Sequence, residues 1–167
     1  MRIRRLCSSD ASAYRSLRLR ALAQCPQAFT SSREEDEQLP LSVSQQRLGA
    51  ADRHFWGAFH GDELCGMVGL ERETRAKSRH KARVVGLYVA HEQTGRGIGG
   101  ALMRALIDGA REAGVELLVL TVTQGQGSAL RLYERSGFRS FGIEPRALKL
   151  GGRFYGKNHM ALELAPS

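Results

Sequence analysis

The sequence predicts a mixed α/β domain of the α+β kind, and three observations predict it. Two apolar segments, His54–His60 (HFWGAFH) and Leu64–Leu70 (LCGMVGL), flank the turn signal Gly61-Asp62 as the arms of an antiparallel hairpin would. A third apolar run, Val84–Val89 (VVGLYV), leads straight into a glycine-rich turn. Behind that turn Ile98, Leu102, Leu106 and Ala110 recur at the spacing of one helix face.

The remaining elements follow in order. Ile3 and Leu6 suggest a short first strand. Asp10 is placed to cap a helix running to about Ala23, with Tyr14, Leu17 and Ala21 on its inner face. The charged segment Ser31–Glu37 reads as a solvated loop. Pro40 opens a second helix that reaches Leu48, with Gly49 at its end. A basic stretch from Arg72 to Arg83 connects the hairpin to VVGLYV. The helix from Gly97 to Ala113 stops at Gly114. Val115–Val122 is nearly all apolar, the pattern of a strand covered on both faces. Ser128–Ser136 forms a short helix with Leu132 inward and Gly137 at its end. Phe138–Ile143 and Phe154–Leu164 supply two last strands. The total is six or seven strands and about four helices, without repeats.

Composition bounds the function. The 167 residues suffice for one domain, expected to span 1–167, with a real core. No apolar run approaches the ~20 residues of a membrane span. The basic N-terminus has no apolar stretch behind it to make a secretory signal, so the cytoplasm is the expected location. Cys7, Cys25 and Cys65 match neither a disulfide framework nor a metal-ligand spacing and read as reduced packing residues. The net charge of +8 is compatible with a nucleic acid, with a polyanionic cofactor, or with solubility alone. The basic stretch contains no aromatic residue, which argues against base stacking on single strands.

The chemistry concentrates at Thr94-Gly95-Arg96-Gly97-Ile98-Gly99-Gly100. Glycines let a backbone approach a ligand closely, because no Cβ intervenes. The first turn of a helix offers unpaired N–H groups and the positive end of the dipole, which together suit a pyrophosphate. Arg96 can add a charge-assisted contact. A tight turn with packing glycines is the alternative. A Walker loop is excluded, because its Gly-Lys-Ser/Thr ending is absent. Gly95, Gly97 and Gly100 satisfy the dinucleotide pattern GxGxxG. They lie late in the chain, however, after a hairpin rather than at the start of a βαβ unit.

The segment Thr94–Gly99 resembles the Gln/Arg-x-x-Gly-x-Gly/Ala pattern of the GNAT acetyltransferase superfamily. Ser128–Phe138 (SALRLYERSGF) is similar to that family's A-x-x-L-Y-x-x-x-G-F signature. Leu17–Leu22, Ala28-Phe29, Glu144–Lys149, Gly152–Tyr155 and Met160–Leu162 resemble a group of bacterial members, so the likeness covers nearly the whole chain. Two departures stand out. Thr94 occupies a position that is usually Gln or Arg, which removes a side-chain contact and leaves the backbone cradle. Gln126 replaces an Asn that often precedes the last helix.

The resemblance implies a mixed, mostly antiparallel sheet whose fourth and fifth strands splay apart. It implies acetyl-CoA as cosubstrate, with the pantetheine arm lying along the backbone of Leu87, Tyr88 and Val89. Thr94, Gly95, Arg96, Gly97, Ile98, Gly99 and Gly100 would hold the pyrophosphate, and Gln126 would reach the pantetheine. The implied reaction is direct attack of a primary amine on the thioester, through a tetrahedral intermediate, with Tyr133 as general acid. VVGLYV carries no Glu for a general base. Glu71 and Glu73, just after LCGMVGL, are candidates for that base, and Tyr88 and His80 are others. No cysteine stands beside a visible His partner, which disfavours a covalent acyl-enzyme.

A non-catalytic coenzyme A- or nucleic-acid-binding module is the second reading. It rests on the charge and the missing carboxylate, and Tyr133 argues against it. The acceptor would be a small-molecule or peptide amine, walled by Ala28–Leu48 and Glu144–Tyr155. The resemblance also allows a homodimer.

Overall fold

The computed structural model describes residues 1–165; Pro166 and Ser167, at the end of the expected domain, lie outside the described residues. Seven strands form one mixed sheet. β1 (Arg2–Arg5), β2 (Arg53–His60), β3 (Glu63–Arg72) and β4 (Lys81–Val89) neighbour one another in that order, all antiparallel. β5 (Leu117–Thr123) runs parallel to β4, and β7 (Arg153–Glu163) lies between β5 and the edge strand β6 (Arg139–Leu150). The helices are α1 (Ala11–Gln24), α2 (Arg33–Glu37), α3 (Leu41–Gly49), α4 (Ile98–Glu112) and α5 (Gly127–Arg135). No described helix is long and apolar enough to cross a membrane.

Side-chain alternation assigns the faces. A Cβ on Gly66 would touch Leu102 and Ile98, so Gly66, Val68 and Leu70 face α4. α5 lies on that same face, its Leu132 against Gly99. On the other face Phe55, paired with Gly69, meets Tyr14 of α1 edge-on at 5.5 Å between ring centroids. α1 and α3 pack together on this second face.

β4 and β5 share only three register pairs: Lys81 with Leu117, Ala82 with Leu118 and Arg83 with Val119. β4 continues to Val89 and β5 to Thr123 without further pairing between them. The divergence coincides with a bulge in β4. Met67 pairs with Tyr88 and Gly69 with Val85, so Val68 alone faces Gly86 and Leu87. Gly86 takes φ +63, a conformation in which glycine bears no Cβ penalty. Such a bulge bends its strand and increases the local twist. The fork expected from the family resemblance is therefore built by Gly86 and by the early end of the parallel ladder.

Several sequence expectations need correction. Asp10 stands just before α1 but does not cap it. Its carboxylate accepts two 2.9 Å bonds from Arg4 and one from the Cys7 N–H, closing the 3-10 turn Ser8–Asp10 instead. Ser31–Glu37 is not all loop: α2 forms there, held by a capping box in which Ser32 and Glu35 exchange backbone bonds. β5 is not covered on both faces. Leu118, Leu120 and Val122 are buried while Thr121 is exposed, because the second face of β5 opens onto a cavity. In α5 the fully packed residue is Tyr133, with Leu132 half-buried. β6 runs on to Leu150, past irregularities near Gly142 and between Glu144 and Leu148. All three cysteines are free, but only Cys65 is buried, and Cys7 is exposed beside Ser9 and Asp10.

Candidate active site

A cavity of about 770 Å³ passes through the fork. On the α5 face it is lined by Tyr133, Gln126 and Ala129. Val84 to Leu87 on one side and Val119 to Thr123 on the other form its edges. On the α1 face it opens over Tyr14, Phe55 and Phe29, with Arg18, Arg47, Glu71, Glu144, Lys157 and His159 around them. The backbone of β4 beyond Arg83 has no strand partner on the cavity side, so its polar groups there are available to an extended ligand.

Tyr133 is 8 % exposed, with its ring edge-on to Phe138. Its hydroxyl has no hydrogen-bond partner among the described residues, and burial raises its pKa well above the ordinary phenol value. The phenol is thus a proton-bearing group on the cavity wall, left unengaged by the rest of the protein.

The glycine turn lies beside this cavity rather than in its wall. Gly95 and Gly97 have φ +77 and +75, and a Cβ on either would meet nothing within 4 Å. Gly97 is the residue from which α4 starts. Ile98 anchors the helix in the core at 4 % exposure, leaving its backbone as the part that faces the turn. Gly99 differs from the first two, since its missing side chain makes room for Leu132, whereas a Cβ on Gly100 would meet Arg104 at ordinary van der Waals distance. Thr94 donates its hydroxyl to His91 O at 2.7 Å, so this position serves the turn itself. Arg96 is exposed and makes no ion pair among the described residues.

Glu71 is half-buried and reaches the cavity, on the strand position that pairs with Arg83. Tyr88 donates its hydroxyl to Gln24 of α1, and burial raises its pKa. Its side chain does not line the cavity; nor do those of Glu73, which lies 4.0 Å from Arg83, and His80. Only the Glu144 end of the expected wall Glu144–Tyr155 is in place. Lys157 and His159 on β7 complete it, Lys157 donating to Thr30 at 2.7 Å and His159 meeting Glu144 at 3.0 Å. Sequence reading missed both. Alternation from Met160, which lies deep in the core, places Lys157 and His159 on the opposite face and is the signal that locates them.

The family model described as the Acetyltransferase (GNAT) family matches residues 18–138. The chain belongs to this family. It is an acetyltransferase. It is 32 % identical over 118 residues to the N-alpha-acetyltransferase RimI of Mycobacterium tuberculosis, covering 70 % of this chain and 72 % of that protein. It is 33 % identical over 81 residues to an L-methionine sulfoximine/L-methionine sulfone acetyltransferase of Pseudomonas aeruginosa, 48 % of this chain and 47 % of that one. The fold is also that of yncA from Salmonella typhimurium, solved with its cofactor acetyl-CoA. That likeness has a TM-score of 0.83 at 20 % identity, over 99 % of this chain and 94 % of the other.

Acetyl-CoA is the cosubstrate of this family, and the site suits it. The fork presents an unpaired strand edge of the right kind for a pantetheine arm. Two left-handed glycines with open space around them stand at a helix start, the arrangement a diphosphate requires.

Proposed function

We propose that this acetyltransferase transfers its acetyl group directly to a primary amine that enters the cavity from the α1 face. The observation that carries the proposal is the position of Tyr133 and Glu71. One lines the α5 side of the fork and the other lies on the α1 side, so a proton donor and a proton acceptor flank the gap between the strands. When bound, acetyl-CoA supplies an activated acetyl thioester.

The chain's own residues do the rest. The free edge of β4 at Leu87, Tyr88 and Val89 aligns the pantetheine arm, and Gln126 adds an amide from the start of α5. Thr94, Gly95, Arg96, Gly97, Ile98, Gly99 and Gly100 form the pyrophosphate turn. Within it Gly95 and Gly97 supply the close approach, while Gly99 lets α4 and α5 pack beneath. A β4 N–H facing the thioester oxygen stabilises developing charge, an effect worth roughly 10²–10³ in rate in acyl transfers. Tyr133 gives its proton to the departing sulfur, and Glu71 receives the proton of the incoming ammonium. The relatives include an N-alpha-acetyltransferase and an L-methionine sulfoximine/L-methionine sulfone acetyltransferase, which supports an amine as acceptor.

The test is consumption of acetyl-CoA with a panel of amines, run for the wild type and Tyr133→Phe. The expected result is turnover of some amine, with kcat lower by about 10²-fold in the variant. Equal turnover by the variant removes the acid role. Absence of turnover with every amine removes the reading itself.

A further inference from the structure

The charges around the acceptor half of the cavity do not cancel. Arg18 is paired with Asp36, both nearly buried. His159 is paired with Glu144. Arg83 lies 4.0 Å from Glu73 and opposite Glu71 in register. Arg47, Lys157 and Glu71 have no oppositely charged partner within 4 Å among the described residues. Lys157 has its ammonium engaged by Thr30. Arg47 is half-buried, and the polar contact of its guanidinium is one long bond, 3.4 Å to the Tyr14 hydroxyl. A half-buried guanidinium on the cavity wall with four further N–H donors and no counterion is free to bind a ligand carboxylate, with bidentate geometry available to it.

Arg47 touches Tyr14, and Tyr14 meets Phe55 edge-on. Phe55 pairs with Gly69, and Glu71 lies two residues farther along the same face of β3, about 7 Å away along the strand. A lone cation and a lone carboxylate thus stand on either side of one aromatic pair, and all four residues border the same cavity.

We infer that the acetyl acceptor is an amine that also carries a carboxylate, with Arg47 binding the carboxylate, Tyr14 and Phe55 supporting the apolar part between, and Glu71 holding the ammonium. This deepens, and rests on, the amine-acetyltransferase reading. Arg47 is a specificity residue in this scheme: it touches substrate but not the reacting atoms.

The experiment measures kcat/KM with leucine, methionine and phenylalanine, each beside its carboxamide. The peptide amides Ala-Asp and Ala-Asn distinguish a free amino acid from an acidic peptide end as the source of the carboxylate. The carboxylate member of the favoured pair is expected to exceed its amide by about 30-fold, chiefly through KM. In Arg47→Gln that ratio should fall to about 3-fold or less, and Arg47→Lys should retain part of it. Circular dichroism and Tm establish that both variants are folded, and the wild-type ratio does not depend on them.

A wild-type ratio near one overturns the inference, as does a ratio that survives in folded Arg47→Gln. Turnover of amines lacking a carboxylate, with none of the acids consumed, overturns it while leaving the acetyltransferase reading intact. Failure with every amine overturns both.

Discussion

A Cβ placed on Gly99 would lie 3.0 Å from Leu132 Cδ2, so α4 and α5 meet through a side chain that is missing. Two residues earlier, Gly97 lacks a side chain for a different reason. Its φ of +75 is left-handed, and the space around it is empty. One glycine serves packing between helices, and the other serves the shape of the turn.

The two positions should therefore fail differently. Gly97→Ala strains the backbone by about 1–2 kcal/mol, and relaxation of that strain reshapes the turn. The expected outcome is a modest loss of Tm and a large loss of the rise in Tm that acetyl-CoA produces. Gly99→Val drives a branched side chain into Leu132, at a cost of about 1–3 kcal/mol without ligand. Thermal denaturation with and without acetyl-CoA separates the cases. A Gly99→Val protein with unchanged Tm would contradict the packing role.

The elevated pKa of Tyr133 has a defined pH signature. Burial favours the neutral phenol in the folded protein, whereas the unfolded phenol ionises near its ordinary value of about 10. The stability linked to this group is fully present below about pH 10 and is lost as pH rises beyond it. Tyr133→Phe should flatten the alkaline fall in stability above pH 10, measured by urea titration across pH 9 to 11. For the same reason, an alkaline fall in the wild type's kcat below pH 10 should persist in Tyr133→Phe.

The legible part of the fold was that with local periodicity. VVGLYV, the spacing of Ile98, Leu102 and Leu106, and the Gly61-Asp62 hairpin each carry their signal within a few residues, and the structure has each of them. α2 went unread because Arg33–Glu37 has no apolar period, although the Ser32–Glu35 capping box that starts it is a local signal; Arg18 reaching Asp36 from α1 is not. On the site side, Tyr133, Gln126 and Glu71 were singled out by motif and strand position, and all three line the cavity. Arg47, Lys157 and His159 depend on register between distant strands and on a helix laid across another, which a linear pattern does not encode. His159 reaches Glu144 only because the β6–β7 ladder slips near Gly142.

Asp10 joins β1 to the start of α1, and its removal should register as lost stability. Its carboxylate receives Arg4 bidentately and the Cys7 N–H, which holds its pKa well below the usual carboxylate range. A depressed carboxyl contributes stability above the ordinary value of about 3.9, and that contribution is lost as pH falls through the folded value. Asp10→Asn should destabilise by about 1–2 kcal/mol at pH 7, discounted for the exposure of Arg4. The wild-type advantage should shrink steadily below pH 4. A difference that stays constant from pH 7 to pH 2 would show that the carboxylate charge is not what matters.

Gly109 lies within α4, where the usual argument favours alanine by about 1 kcal/mol of helix propensity. The structure opposes it. A Cβ at Gly109 would lie 2.4 Å from Trp56 Cζ2 and 3.0 Å from Cη2. The indole is 6 % exposed and has the Arg5 guanidinium over its ring at 5.2 Å, so it has little room to retreat. Overpacking of this kind costs about 1–3 kcal/mol and outweighs the propensity gain. Gly109→Ala should therefore lower Tm by several degrees. The pair Gly109→Ala with Trp56→Phe tests the cause directly. The smaller ring should make the alanine less harmful than it is beside tryptophan, and a double-mutant cycle with no coupling would refute the clash.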